Sequence, residues 1–596
     1  MPRLTRRRFL ATGSQCLAIT SLTACSHTPM SFQHPLQKTQ TLHGVEFDLA
    51  LGYSQVNITG KKRYATTVNQ SLPAPVLRWQ EGSRVTINVT NHLPQLTSVH
   101  WHGIILPSNM DGVPGLSFDG IAPGETFTYE FPILQSGTYW YHSHSNFQEQ
   151  TGLYGAIIID PAKPETDQYD REYVILLSDW SDEKPEAIYR HLKKSSHFYN
   201  RQERTIGDLV NDIKQDGLSK TLDHRSMWSN MRMSDRDIAD VTGATYQFLI
   251  NGKNNLDAWQ GEFFAGEKIR LRVINASAMT FFDFRIPNLP MQVIAADGQA
   301  VRPIEVDEFR IAPAETYDVI IQPQKSNYAI FAQTIDRSGF ALGKLMCNQH
   351  EPINIPTMDP APILTMEDMG HGGADHSHHG QSSTKNNSHS EHSHLKITEH
   401  KEKLAPAGFG NHANYLSTTH VPAENDFGID MRVQSPQSGL DDPGIGLRHH
   451  HHLYNRRVLH YSNLKNRYKT LDKREPSREI QLRITGNMHR YIWSIDGLTY
   501  DQVPPIELQF NERIRITLIN DTMMTHPFHL HGMWSELETG DPDYIPRKHT
   551  VIVQPGKRIS YLVTADAEGR WAYHCHLLYH MLGMMREVRV VKGDSV

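Results

Sequence analysis

The sequence predicts an all-β protein built from three antiparallel sandwich or barrel domains, and three observations carry that expectation. Short stretches of alternating apolar and polar residues recur between Pro- and Gly-containing turns, with little helical periodicity. One element, a charged turn leading into an alternating strand that ends in Asn, occurs three times: Glu81 to Asn91, Gly266 to Asn275 and Asn511 to Asn520. A chain of 596 residues also suits three domains of about 150 residues each, with length left for a signal and a linker.

Taken in order, residues 1–25 stand apart from the fold. Thr5-Arg6-Arg7-Arg8-Phe9-Leu10 followed by a mildly apolar stretch reads as a twin-arginine export signal. Leu22-Thr-Ala-Cys25 reads either as a lipoprotein box, with Cys25 as a lipid anchor, or as an ordinary cleavage region. The expected location is therefore the periplasm, soluble or anchored at the outer membrane. No other apolar run is long enough to span a bilayer. Residues 40–162 form the first domain and 168–348 the second, with an insertion at about 183–240 that reads as helical around Ala187-Ile-Tyr-Arg-His-Leu-Lys-Lys. Residues 349–452 are a linker whose stretch 358–400 is rich in His, Ser, Gly and Asn and too poor in apolar residues to pack a core, so disorder is expected there. A second run, His449 to His452, closes the linker, and 453–596 form the third domain.

The functional signal lies in histidine pairs set inside strand-like segments. In His574-Cys575-His576, followed by His580, a strand would turn His574 and His576 to one face and Cys575 to the other. Cys575, His580 and a further histidine then make a His₂Cys copper site with a distant Met, while the flanking histidines serve a different metal centre. Three more pairs, His100/His102, His142/His144 and His529/His531, lie among Trp, Tyr, Leu and Ile. With 35 histidines in the chain, about two such pairs arise by chance, and His376/His378 and His392/His394 in the linker are read that way. The other four sit where an unpartnered ring is costly to bury. Repeat phasing supports them. His100 and His102 lie nine and eleven positions after Asn91, and His529 and His531 lie at the same offsets from Asn520. The middle copy has Phe284 and Ile286 there, so copies one and three carry metal and copy two is a spacer. A second repeat, Ala122-Pro-Gly-Glu, Ala312-Pro-Ala-Glu and Gln554-Pro-Gly-Lys, leads into the later strands.

Of four cysteines, Cys16 and Cys25 belong to the signal region, which leaves Cys347 and Cys575. A disulfide framework is not expected, because pairing Cys575 would remove the best metal site. A formal charge of −6 gives no argument for nucleic acid.

These motifs, together with Met110-Asp-Gly-Val-Pro-Gly, Gln148-Glu-Gln-Thr-Gly-Leu-Tyr-Gly and Leu177-Ser-Asp-Trp, resemble those of multicopper oxidases, and within them the bacterial copper-resistance branch. The resemblance implies three cupredoxin-like Greek-key domains with a three-copper cluster clamped between the first and last. It implies four copper ions: a type 1 site at His526, Cys575, His580 and an axial Met; a type 2 site at His100 and His529; and a type 3 pair at His102, His142, His144, His531, His574 and His576. The axial Met is either Met585, ten residues after the cysteine, or Met584, directly after Gly583; backbone reach favours Met585. Relatives carry a carboxylate just after the position of His580, where this chain has Met581. Asp111, matching the family's carboxylate near the cluster, becomes the candidate for proton delivery.

The implied activity is one-electron oxidation of a reductant near exposed edges of His526 or His580, transfer through Cys575 to His574 and His576, and four-electron reduction of dioxygen to water. Cu(I) as reductant suits the thioethers of Met523, Met524, Met533 and Met581, and the linker, with Met358, Met366 and Met369, as a place for additional copper. A laccase-like phenol oxidase is the enzymic alternative. A copper-sequestering protein with incidental turnover is the non-enzymic one.

Overall fold

The computed structural model describes residues 34–365, 368, 433 and 436–592, apart from 231–233, 325 and 489. The twin-arginine segment, Cys25 and the His-rich tract 369–432 lie outside the described residues.

Six sheets form three successive pairs. The first sheet of each pair repeats one local plan. The strand containing the first repeat element, Arg84–Asn91, runs parallel to Glu46–Asn57 and antiparallel to Thr126–Pro132. Ile269–Asn275 stands likewise between Arg171–Trp180 and Thr316–Ile321, and Arg513–Asn520 between Glu479–Asn487 and Lys557–Thr564. A parallel neighbour cannot be reached by a tight hairpin, so the chain crosses to the second sheet in between, and each pair closes as a cupredoxin-like β-sandwich. The cores are aromatic and β-branched across the gap: Trp79 of one sheet meets Phe131 of the other at 5.9 Å, and Phe309 meets Tyr317 at 5.1 Å.

The Asn that ends each repeat strand has a structural reason. Asn91 Nδ2 donates to the carbonyls of Gln95 and Ile121, at 2.9 and 2.8 Å. Asn275 does the same to Thr280 and Ile311, and Asn520 to Met524 and Val553. Each Oδ1 accepts the N–H two residues on, at Leu93, Ser277 and Thr522. All three are fully buried, and each ties the strand end to the residue that precedes the Ala/Gln-Pro turn. One side chain thus satisfies three backbone groups that the core would otherwise strand.

In Arg84–Asn91 buried positions alternate with half-exposed ones, whereas Ile269–Asn275 and Arg513–Asn520 are buried throughout. The outward arginines of the middle strand are covered at a domain boundary. Arg272 Nη1 donates to Thr138 of the first domain at 2.9 Å, and Arg272 and Arg78 both engage Glu172.

Helices Pro185–Lys194, Ile206–Asp216 and Leu218–Asn230 occupy the insertion. The linker's described ends are anchored to the body. Leu364 is buried and its N–H bonds the carbonyl of Asp235 at 2.8 Å, Gln437–Ser438 pairs with Lys557 and Arg558, and His450 is buried with Nδ1 2.6 Å from Glu308. Among the described residues no helix is long and apolar enough to cross a membrane.

Candidate metal centres

Strand register brings the histidine pairs together. His100–His102 pairs with Gly137–His142 so that His100 lies opposite His142, and in the last domain His529 lies opposite His574 while Phe528 lies opposite Cys575. Opposite residues of an antiparallel pair share a face. His529 and His574 therefore face the first domain, and Cys575, with His526 two residues before Phe528, faces the other way. Across the boundary, rings from the two domains stack: His100 on His531 at 4.0 Å and His102 on His529 at 3.8 Å.

The rings converge into groups whose donor atoms all lie within 4.8 Å of one another: His100, His102 and His529; His102, His142 and His576; and His144, His531 and His574. All eight expected cluster histidines are present, seven buried and His144 partly so. Burial, and next the neighbouring imidazoles, push His102, His142, His144, His529, His531 and His576 well below the usual histidine value, and burial takes His574 down to about 4. Neutral imidazole is the ligating form.

Outer partners fix which nitrogen each ring turns inward. The Nδ1 of His100 bonds the Asp111 carbonyl at 2.8 Å, that of His531 bonds Asp111 Oδ2 at 2.8 Å, and that of His142 lies 2.6 Å from Glu149 Oε2. The Nδ1 of His529 bonds the His549 carbonyl at 2.6 Å, and that of His574 the Cys575 carbonyl at 3.0 Å. What remains is a set of buried ring nitrogens with no partner: Nε2 of His100, His142 and His529, Nδ1 of His102, and both nitrogens of His576. Each such atom costs about 1–3 kcal/mol when left unsatisfied. Unpartnered nitrogens on five rings of these converging groups fit a cluster of nitrogen-loving metal ions.

The second centre lies behind Cys575. Its Sγ is 3.6 Å from His526 Nδ1, which is 3.3 Å from His580 Nδ1. Burial pushes the Cys575 thiol far up, so a metal there must displace its proton. Trp493 stacks on His580 at 4.0 Å.

Three expectations are corrected here. His526 and His580 have no exposed edge: both are fully buried, with Nε2 of His526 on Thr522 Oγ1 at 2.7 Å and Nε2 of His580 on Asp240 Oδ2 at 2.5 Å. Met585, favoured by backbone reach, lies opposite His574 and packs with Ala572, Val113 and Leu116, on the face away from Cys575. Met584 is fully buried, and its carbonyl accepts the N–H of Cys575 at 3.1 Å. Met523, Met524 and Met533 are core residues, and Met581 packs partly buried beside them.

Sequence reasoning did not reach Asp240, Thr522, Trp493, His549 or a role for Glu149. Glu149 stood inside a quoted motif. Asp240 had no local signal, since it lies 340 residues from the histidine it meets.

Profiles of the multicopper oxidase family match residues 50–164, 220–346 and 473–594. Copper resistance protein A of Escherichia coli is 51% identical over 568 residues, covering 92% of this chain and 93% of its own. The copper resistance protein A homolog of Pseudomonas syringae pv. tomato is 48% identical over 600 residues, covering 99% of this chain and all of its own. Among solved structures, Fet3p, a multicopper oxidase that functions in iron import, superposes with a TM-score of 0.62 at 20% identity over 92% of this chain and 90% of that one. The laccase from Botrytis aclada gives 0.61 at 20% identity over 94% and 89%. With all three sandwich regions matched and a 51% identical relative aligned along 92% of this chain, the chain belongs to the multicopper oxidase family.

Proposed function

We propose that this oxidoreductase, which uses copper and dioxygen, holds four copper ions and oxidises Cu(I) in the service of copper resistance. The observation that carries it is the buried convergence of eight imidazoles one residue away from a buried thiol with two imidazoles of its own. Copper bound at these positions supplies one-electron redox centres through which a reductant delivers electrons to dioxygen, yielding water. His526, Cys575 and His580 would hold type 1 copper, with the buried Met584 as the thioether candidate. His100 and His529 would hold type 2 copper, and His102, His142, His576, His144, His531 and His574 would hold the type 3 pair.

The residues divide the remaining work. Peptide bonds from Cys575 to His574 and His576 make the shortest covalent connection between the two ligand sets. Asp111 receives Nδ1–H of His100 at its backbone carbonyl and that of His531 at its carboxylate, so one buried residue locks two rings, and its carboxylate stands as a candidate to pass a proton inward. On the reductant side, Trp493 covers His580 and the Asp240 carboxylate caps its outer nitrogen. A cap of this kind leaves no exposed ring edge for a bulky phenol, which favours Cu(I) as substrate. The relatives named for copper resistance support the same reading.

The deciding experiment is Cys575→Ser on copper-loaded protein. The intense thiolate-to-copper absorption and Cu(I)-dependent oxygen uptake should vanish while copper stays at the eight imidazoles. A variant that remained blue would place the type 1 site elsewhere. Export to the periplasm by the twin-arginine route, with Cys25 as a lipid anchor, belongs to the same proposal; Arg6→Lys with Arg7→Lys should leave the protein in the cytoplasm, and normal periplasmic yield would refute it.

A further inference from the structure

The middle domain carries no expected copper ligand, yet it grips the residues that seat two of them. Asp297 Oδ2 accepts the backbone N–H groups of His549 and Thr550, both at 3.1 Å, and lies 3.0 Å from Lys548 Nζ. Asp297 Oδ1 accepts the N–H of Thr316 at 3.1 Å. The carboxylate sits in an Asp297-Gly298 turn between strands Met291–Ala296 and Gln299–Val306, with its own backbone at φ +47°. Lys548 is fully buried and also lies 3.0 Å from Glu315 Oε1, which Tyr461 bonds at 2.8 Å.

The gripped residues face the cluster with their other groups. The carbonyl of His549 accepts Nδ1–H of His529 at 2.6 Å, which leaves His529 with Nε2 free. His102 is served the opposite way: its Nε2 lies 3.2 Å from His549 Nδ1 and 3.3 Å from Thr550 Oγ1, which leaves Nδ1 free. Two rings stacked at 3.8 Å thus present opposite nitrogens, and both choices are made by one short segment. A peptide segment rotated by tens of degrees would withdraw the carbonyl from one ring and the hydroxyl from the other together. Strand pairing holds Thr550 opposite His529, and a carboxylate that accepts the N–H groups of both His549 and Thr550 fixes the peptide where that pairing begins.

We propose that Asp297 of the middle domain is a positioning residue for the metal cluster, holding Lys548, His549 and Thr550 so that His529 presents Nε2 and His102 presents Nδ1. This rests on the assignment of those two rings to type 2 and type 3 copper. The role is orientational: Asp297 touches neither substrate nor metal, and it acts through the second shell, where loss of a partner typically weakens metal binding about 10–100-fold.

The test is made on the full-length copper-loaded protein with Asp297→Ala, Asp297→Asn and Thr550→Val, reading copper per chain, the type 2 electron paramagnetic resonance signal and the thiolate-to-copper absorption. Asp297→Ala should lower type 2 copper affinity at least about tenfold and alter its resonance signal. The thiolate absorption should stay at the wild-type level, because His526, Cys575 and His580 do not touch the segment. Asp297→Asn, which keeps one oxygen for the two N–H groups, should restore much of the signal. Thr550→Val removes only the hydroxyl beside His102 and should perturb the type 3 pair without changing type 2 copper. Full copper occupancy and unchanged signals in Asp297→Ala would overturn the proposal. If Asp297→Ala loses the thiolate absorption as well, the fold has failed, and the uncharged Thr550→Val decides, with unchanged type 3 signals counting against the proposal. Wild-type protein that held no type 2 copper would instead refute the underlying site assignment.

Discussion

Asp240, at the end of the helical insertion, places Oδ2 2.5 Å from Nε2 of His580, and the same oxygen accepts the Tyr491 hydroxyl at 2.9 Å. The middle domain therefore reaches the thiol-bearing centre through a carboxylate. Burial holds Asp240 up to about 7, as it does Asp237 beside it.

Asp240→Asn keeps the shape and one hydrogen bond but removes the charge. Turnover with Cu(I) should fall about 10-fold or more, while the thiolate-to-copper absorption and copper content remain. Steady-state oxygen uptake with Cu(I) and with a neutral phenol, measured in parallel, checks this. An equal loss with both reductants would mean that Asp240 only supports His580.

The two methionines separate by face. Met584→Leu should raise the reduction potential of the type 1 site and change its visible spectrum, because an axial thioether stabilises the oxidised ion. Met585→Leu, in the pocket of Val113, Leu116 and Ala572, should leave both unchanged. A spectral change in Met585→Leu with none in Met584→Leu would reverse the assignment.

The boundary between the first two domains predicts an acid dependence. Although burial alone would raise it, Glu172 is held down to about 2 by Arg272 and Arg78, so its folded value lies below its unfolded one. Its contribution is fully present above about pH 4.5 and is lost as pH falls through about 2. Allowing for partial exposure, Glu172→Gln should cost about 1–3 kcal/mol at neutral pH. The thermal midpoints of variant and wild type should converge toward pH 2. A constant difference across that range would show the effect to be steric.

Much of this was legible in the chain because it depends on local period and repeat. Alternation along a strand was enough to put Cys575 and His574 on opposite faces, and the offsets from Asn91 and Asn520 located His100, His102, His529 and His531. Distance along the backbone favoured Met585, but it says nothing about which face a residue takes after the turn at Gly583, and the strand register puts Met585 on the face of His574. Reading the middle copy as a spacer leaves out the supports it lends to the other two. Asp240 and Asp297 act across domain boundaries, and no period within one strand encodes a contact between strands that are hundreds of residues apart.

The His-rich tract is best judged by what it adds to a centre already complete. Gly370 to His394 contains seven histidines, and none is needed by the groups that converge in the fold. The described chain just before it is fixed next to the reductant side: Leu364 bonds the carbonyl of Asp235, whose carboxylate pairs with Arg204, and Asp368 contacts Arg448. Asp237 and Asp240 follow Asp235 by two and five residues, so the described chain leading toward the tract is anchored beside the segment that carries Asp240, the partner of His580. Capture of copper there would raise its local concentration where the electron enters, an effect of tethering that matters only when free copper is scarce. Deleting Gly370 to His394 should therefore leave the thiolate absorption and phenol oxidation unchanged, slow Cu(I) oxidation several-fold at low copper, and lower the copper bound beyond four per chain. At saturating Cu(I) the two proteins should turn over alike. Identical copper titrations and identical Cu(I) kinetics at every concentration would show that the tract is a spacer.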